Sequence, residues 1–83
     1  MNQTIRELLA RHGGLSVAAA DLDKAADLYA SGLTSFASVQ VMLALEEAFD
    51  IEFPDHLLNR RSFASIEAIE NTVASILEAR KVA

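Results

Sequence analysis

Ile66, Ile69, Val73, Ile76 and Leu77 follow one another at spacings of 3, 4, 3 and 1, which draws one apolar stripe along a helix. Such a stripe has to be covered, and in a chain of 83 residues the cover must come from a few other short elements. Composition says which kind. Ala and Leu dominate an apolar share of 52%, with one Pro, three Gly and aromatics at 6%, so helices are favoured over strands. The apolar share is ample for folding, and the chain is expected to be ordered.

Three further segments supply the cover. Thr4-x-x-Glu7 has the pattern of a capping box, and Ile5, Leu8 and Leu9 share a face behind it. This predicts a first helix from about Thr4 to Arg11 or His12, stopped by Gly13-Gly14. Leu15 to Ser31 mixes Asp21, Asp23 and Asp27 with Leu22, Leu28 and Tyr29, and reads as a long packed loop holding one short helical turn. Leu22, Leu28 and Leu33 are its expected anchors. Loops this long are uncommon in compact domains and are often functional.

A second long helix is predicted from Ser35 to about Phe49. Val39, Met42, Leu45 and Phe49 are assigned to its core face, which leaves Phe36, Gln40, Leu43 and Glu47 on another. Two faces carrying apolar residues exceed what a surface helix of a monomer needs. Phe36 and Leu43 therefore point to a contact surface, against the plainer reading that Phe36 fills a small core. Ile51 and Phe53 then alternate with acids up to Pro54, and Asp55–Asn59 reads as a short helix with Leu57 or Leu58 facing inward. Ser62 or Ser65 caps the last helix, with Glu67 and Glu70 near its start and Arg80-Lys81 near its end, as the helix dipole favours. The tail to Ala83 is expected to fray. The expectation is an all-α, small helical bundle of three long helices and one short helix, forming a single domain over 1–83.

Charge and residue inventory exclude several functions. Net charge is −5, and Glu46, Glu47, Asp50, Glu52 and Asp55 fall in one stretch without a Lys or Arg. That sign opposes nucleic acid and anionic membranes and suits basic protein partners, although a solvated surface is the commoner role of such a cluster. Arg60-Arg61 is a small basic patch against this trend. There is no Cys, and His12 and His56 lie far apart, so no metal site is expected. Gly13-Gly14 lacks the Lys and spacing of a phosphate loop. Ser35 with His56 and an acid could in composition form a triad, but no nucleophile elbow is present and a bundle this small has little room for a substrate pocket. The start of the chain does not read as a secretory signal, and no apolar run reaches the ~20 residues of a membrane span. A cytoplasmic protein that is not an enzyme is expected.

Ser35 is the position with chemistry to offer. Serine is a preferred N-cap, so capping alone could explain it. A hydroxyl at a helix start also lies among unpaired N–H groups at the positive end of the dipole, where an attached phosphate would be tolerated.

Gly32-Leu33-Thr34-Ser35-Phe36, Leu45-Glu46-Glu47-Ala48-Phe49 and Ile51-Glu52-Phe53-Pro54, followed by Ser62-Phe63-Ala64-Ser65-Ile66, together resemble the acyl carrier proteins. That family shows Gly-hydrophobic-Asp-Ser-Leu, Leu-Glu-Glu-x-Phe, Ile-x-Ile/Phe-Pro and a Thr-Val-x-Asp-Leu lead-in to the last helix. The resemblance covers nearly the whole chain. It implies a stand-alone, monomeric carrier with 4′-phosphopantetheine on Ser35, installed from coenzyme A by a phosphopantetheinyl transferase. Cargo would ride as a thioester on the arm, so the reactive sulfur would belong to the prosthetic group in a protein without cysteine. A cargo-loading ligase and a downstream acyl or aminoacyl transferase or synthase are the implied partners.

Two departures refine this. Thr34 replaces the usual Asp, and Ala37 and Gln40 replace acids early in the second helix. Together with Phe36 for Leu, they point away from fatty-acid synthesis. The centre also resembles small bacterial carriers loaded by amino acid ligases related to seryl-tRNA synthetases, so aminoacyl cargo is favoured over an acyl carrier of specialised lipid or polyketide synthesis. Thr34, Phe36, Gln40, Leu43 and Glu47 are the expected partner contacts. An unmodified helical interaction adaptor is the alternative of another class.

Overall fold

The computed structural model describes residues 1–82 and contains three α-helices: α1 (Asn2–His12), α2 (Ser35–Phe49) and α3 (Ile66–Val82). Ile5, Leu8 and Leu9 of α1 meet Val41 and Leu45 of α2 and Ile66, Ile69 and Val73 of α3 in one core. Both α2 and α3 pack against α1. The stripe on α3 is buried where the spacing predicts, with Ile76 and Leu77 half-buried at its far end.

α1 begins two residues earlier than its capping-box pattern predicts. Its N-cap is Met1, which supplies no side-chain cap, and Thr4 lies inside the helix. The early start puts Asn2 beside α3, where its amide donates to Glu70 Oε1 at 2.9 Å. Arg6 does more: Nη1 donates to the carbonyls of Ala19 and Leu22 at 2.8 and 2.7 Å, while Nε is held by Asn2 Oδ1 at 2.7 Å. One guanidinium thus clamps the long loop onto α1.

That loop contains the expected short turn, a 3-10 segment at Ala19–Asp21. Leu28 and Leu33 are buried and Leu22 is half-buried against the core, so all three anchor it. Backbone bonds from Leu28 N to Ala64 O and from Glu67 N to Lys24 O tie the loop to the start of α3. Gly32 brings the chain back toward α2. Its φ of +113° suits a residue without Cβ, and a Cβ there would come within 3.3 Å of Ser16 N.

α2 has the predicted limits but a different buried face. Ala37, Val41 and Leu45 face the core, whereas Val39 is 48% exposed and Met42 and Phe49 are half-buried. Of the four expected core residues only Leu45 is fully enclosed. The reason is that apolar residues occur around the whole of α2, so its sequence does not single out one face. Small Ala37 belongs to the buried face and permits close approach at the first turn.

The expected short helical segment at Asp55–Asn59 is a 3-10 turn at Asp55–Leu57, and a second 3-10 turn, Arg60–Phe63, follows it. Leu57 is half-buried and Leu58 is 44% exposed. Asn59 is committed to the second turn: its Oδ1 accepts from Ser62 N at 3.0 Å and its Nδ2 donates to His56 O. Phe63 and Phe53 stack with centroids 5.5 Å apart under this segment. Glu46, expected in the acidic face, turns its carboxylate to Phe53 N at 2.9 Å and pins the same turn. Ser65, not buried Ser62, caps α3, accepting from Ala68 N at 3.0 Å. Near the other end of α3, Arg80 donates to the carbonyl of Asp50, the left-handed residue that ends α2. The side chain of Lys81 and the expected fraying at Ala83 lie outside the described residues.

Candidate functional site

The chain enters α2 through Thr34, which is extended (φ −99°, ψ 167°) and whose Oγ1 accepts the Ala37 amide at 3.0 Å. Thr34 is therefore the N-cap, and the capping explanation of Ser35 falls away. Ser35 is exposed at the first helical position, and its hydroxyl makes no hydrogen bond among the described residues. The neighbouring Ser38 hydroxyl donates to the Ser35 carbonyl at 2.7 Å and leaves Ser35 Oγ untouched.

Two surfaces flank this hydroxyl. One follows α2 outward: Phe36 is 75% exposed, Leu43 is 50% exposed, and Gln40 and Glu47 are exposed beside them. Positions 36, 40, 43 and 47 share one side of the helix, as their spacing predicts. The structure shows all four exposed along α2, with Thr34, next to Ser35, exposed as well.

The other surface is a groove of about 460 Å³ that includes Ser35 in its wall. Val39 and Met42 of α2, Leu58, and Phe63 give it an apolar lining, and Tyr29 and Arg60 stand on it as well. No local pattern in the sequence assembles this groove. Periodicity places Val39 in the core, and only the folded chain brings positions 58–63 against the first turns of α2. The signal available was Val39 and Met42 following Ser35 at helical spacing.

Tyr29 and Arg60 form a pair at the groove. The guanidinium of Arg60 lies 3.8 Å from the centre of the Tyr29 ring, and the Tyr29 hydroxyl donates to the Arg60 carbonyl at 2.9 Å. Burial pushes the Tyr29 phenol above its ordinary pKa; the Arg60 charge opposes the shift and the nearby Asp27 adds to it.

The other candidate chemistries are not assembled. Exposed His56 lines a different depression, with Pro54, Leu57, Ile76 and Arg80, so it does not join Ser35 in a triad. Among the described residues no group of three His, Cys, Asp or Glu is placed to hold a metal. No helix among them is long and apolar enough to cross a membrane.

A small helical bundle with an uncommitted serine hydroxyl at the start of α2, beside an apolar groove, fits a protein that bears a covalent arm. Residues 3–78 match the family model described as the phosphopantetheine attachment site, and the chain belongs to that family. It is 63% identical over 83 residues to an aminoacyl carrier protein of Agrobacterium fabrum, covering 100% of both chains. Its fold superposes with TM-score 0.87 and 66% identity on a chain of the crystal structure of an engineered Bradyrhizobium japonicum glycine:[carrier protein] ligase complexed with carrier protein from Agrobacterium tumefaciens and AMP, covering 89% of this chain and 99% of that one. A second match, at TM-score 0.73 and 31% identity, is to a chain of the crystal structure of Bradyrhizobium japonicum glycine:[carrier protein] ligase complexed with glycylated carrier protein; it covers 86% of this chain and 95% of that one.

Members of the family carry 4′-phosphopantetheine covalently, and the chain is a carrier of thioester-bound cargo, not an enzyme. The residues present fit the group: an exposed hydroxyl free to become an ester, and an apolar wall alongside.

Proposed function

We propose that Ser35 is the attachment point and that residues 1–83 act as one monomeric, cytoplasmic aminoacyl carrier. The observation that carries the assignment is the transfer of the capping role to Thr34, which leaves Ser35 Oγ exposed and unpaired. A phosphopantetheinyl transferase would join Ser35 Oγ to the pantetheine-bearing phosphorus of coenzyme A. The pyrophosphate bond would break, 3′,5′-ADP would leave, and the hydroxyl proton would pass to the transferase. The resulting phosphodiester would sit at the positive end of α2, an environment worth about 0.3–1 kcal/mol to an anion.

Amino acid cargo is supported by the 63% identity to an aminoacyl carrier protein and by the likeness to a glycylated carrier bound to its ligase. A ligase that activates an amino acid with ATP would load the arm, and a downstream aminoacyl transferase or synthase would accept the cargo. Phe36, Leu43, Gln40 and Glu47, with Thr34, form the surface these enzymes would grip. Thr34 caps α2 as an Asp would but adds no charge, so recognition shifts from ion pairing toward the apolar side chain of Phe36.

The test is modification followed by loading. Incubation with coenzyme A and several transferases should add the mass of one phosphopantetheinyl group to the wild type and nothing to Ser35→Ala. Amino acids offered with a carrier-protein ligase should then appear as a hydroxylamine-labile adduct. Absence of added mass with every transferase, or its survival in Ser35→Ala, would sink the attachment; loading by fatty acyl groups alone would sink the aminoacyl reading. Partner capture by the unmodified protein, undiminished in Ser35→Ala, would favour an adaptor.

A further inference from the structure

The polar groups that line the Ser35 groove are almost all committed elsewhere. The Tyr29 hydroxyl donates to the Arg60 carbonyl, and the Ser38 hydroxyl donates to the Ser35 carbonyl. Asn59 uses its carbonyl on Ser62 and its amide on His56. Two polar side-chain groups in that wall make no hydrogen bond among the described residues: the Ser35 hydroxyl and the Arg60 guanidinium.

Among the described residues Arg60 is also the single cation lining the groove, and no Asp or Glu lines it. Its guanidinium is spent on a ring face, not on a carboxylate. Stacking uses the flat side of the group and leaves the N–H donors around its edge to be used. Tyr29 holds the residue twice, through the ring beneath the guanidinium and through the hydroxyl on its backbone carbonyl. An arginine restrained in this way is prepared to receive an anion, because less side-chain freedom is lost when the bond forms. The rest of the wall, Val39, Met42, Leu58 and Phe63, offers an anion nothing. In a chain of net charge −5, a cation placed here stands against the general trend.

We propose that Arg60, stacked on Tyr29, is a positioning residue that donates to the phosphodiester of the arm and so lays the arm along the Val39–Met42–Leu58 groove. This assignment rests on Ser35 being the attachment point. Arg61 provides an internal comparison. It carries the same charge one residue away and lines the neighbouring depression beside Asp27, which Arg60 also borders, but it does not line the Ser35 groove.

The test uses full-length holo protein prepared with a transferase and coenzyme A, as wild type, Arg60→Gln, Arg60→Lys and Arg61→Gln, each checked for folding by its thermal melt. The phosphodiester is the one phosphorus present and is read by 31P NMR, while NOEs report whether the pantetheine methyls touch Val39, Met42 and Leu58. Arg60→Gln should shift the 31P resonance and abolish the NOEs; Arg60→Lys should move the resonance part-way; Arg61→Gln should match wild type. A second readout is tyrosinate absorbance, since the chain has one Tyr and no Trp. Adding the arm should raise the Tyr29 midpoint in wild type, because the phosphate offsets the Arg60 charge, and should leave it unmoved in Arg60→Gln. No added mass on Ser35 would overturn the attachment and this assignment with it. Added mass with the same 31P shift, NOEs and tyrosine midpoint in wild type and Arg60→Gln would overturn the role of Arg60 alone.

Discussion

Thr34 Oγ1 accepts the Ala37 amide at 3.0 Å, and that bond makes Thr34 the cap of the helix whose first residue is Ser35. Two adjacent hydroxyls thereby divide two tasks, one structural and one left open for chemistry. Thr34→Ala should lower stability by about 1 kcal/mol, read from the urea midpoint. Thr34→Asp should restore it, because a carboxylate accepts the same amide and suits the helix start. Ser35→Ala should change the midpoint by less than about 0.5 kcal/mol, as for a surface residue without partners.

The rotated face of α2 makes a sharp comparison. Leu45→Ala should cost about 2–5 kcal/mol, as for a fully enclosed leucine. Val39→Ala, at a site that faces the groove, should cost less than about 1 kcal/mol in thermal or urea melts. Equal losses would return Val39 to the core.

Phe36→Ala should leave the melting temperature within the range of neutral surface changes, about ±0.5 kcal/mol, since three quarters of the ring is in water. Transfer of the arm by the transferase, or loading by the ligase, should weaken severalfold, read as a higher KM. A stability loss in place of a kinetic one would refute the contact role.

Arg6 holds the long loop by two carbonyls and is itself held by Asn2. Arg6→Met should cost about 1–3 kcal/mol, the range for charged hydrogen bonds lost from a partly enclosed site. Hydrogen exchange should speed first around Ala19–Leu22, before the core of α1, because the clamp acts on the loop.

Tyr29 provides a prediction in pH. Its phenol is raised chiefly by burial, so the folded protein holds the proton more tightly than the unfolded chain. The associated stability is complete below the ordinary value of 10.0 and is lost as pH rises through the higher folded value. Tyrosinate absorbance should therefore show a midpoint above 10.0 in buffer that falls back to it in urea. Stability of Tyr29→Phe should fall less steeply above that pH.

Much of this molecule is legible in its residues. The stripe on α3, the limits of α2, and the anchors Leu28 and Leu33 follow from local rules of periodicity and capping, which neighbouring residues alone satisfy. The rest depends on what the folded chain brings close. Whether Thr34 or Ser35 caps α2 turns on one backbone geometry, and both residue types are good caps. Which side of α2 is buried could not be read from a helix with apolar residues all round; α1 decided it. Glu46 became a tie to Phe53 because a carboxylate near a turn takes an unpaired amide when the chain presents one.

Serine at position 35, its flanking motifs and a helical fold were determined by the sequence by itself, because each depends on residues close together along the chain. The tertiary structure decided that the serine hydroxyl is uncommitted and that Tyr29 and Arg60 meet at its groove. Those facts depend on the 3-10 turns after α2 folding back beside its first residues, a closure between segments more than twenty positions apart that no local pattern encodes.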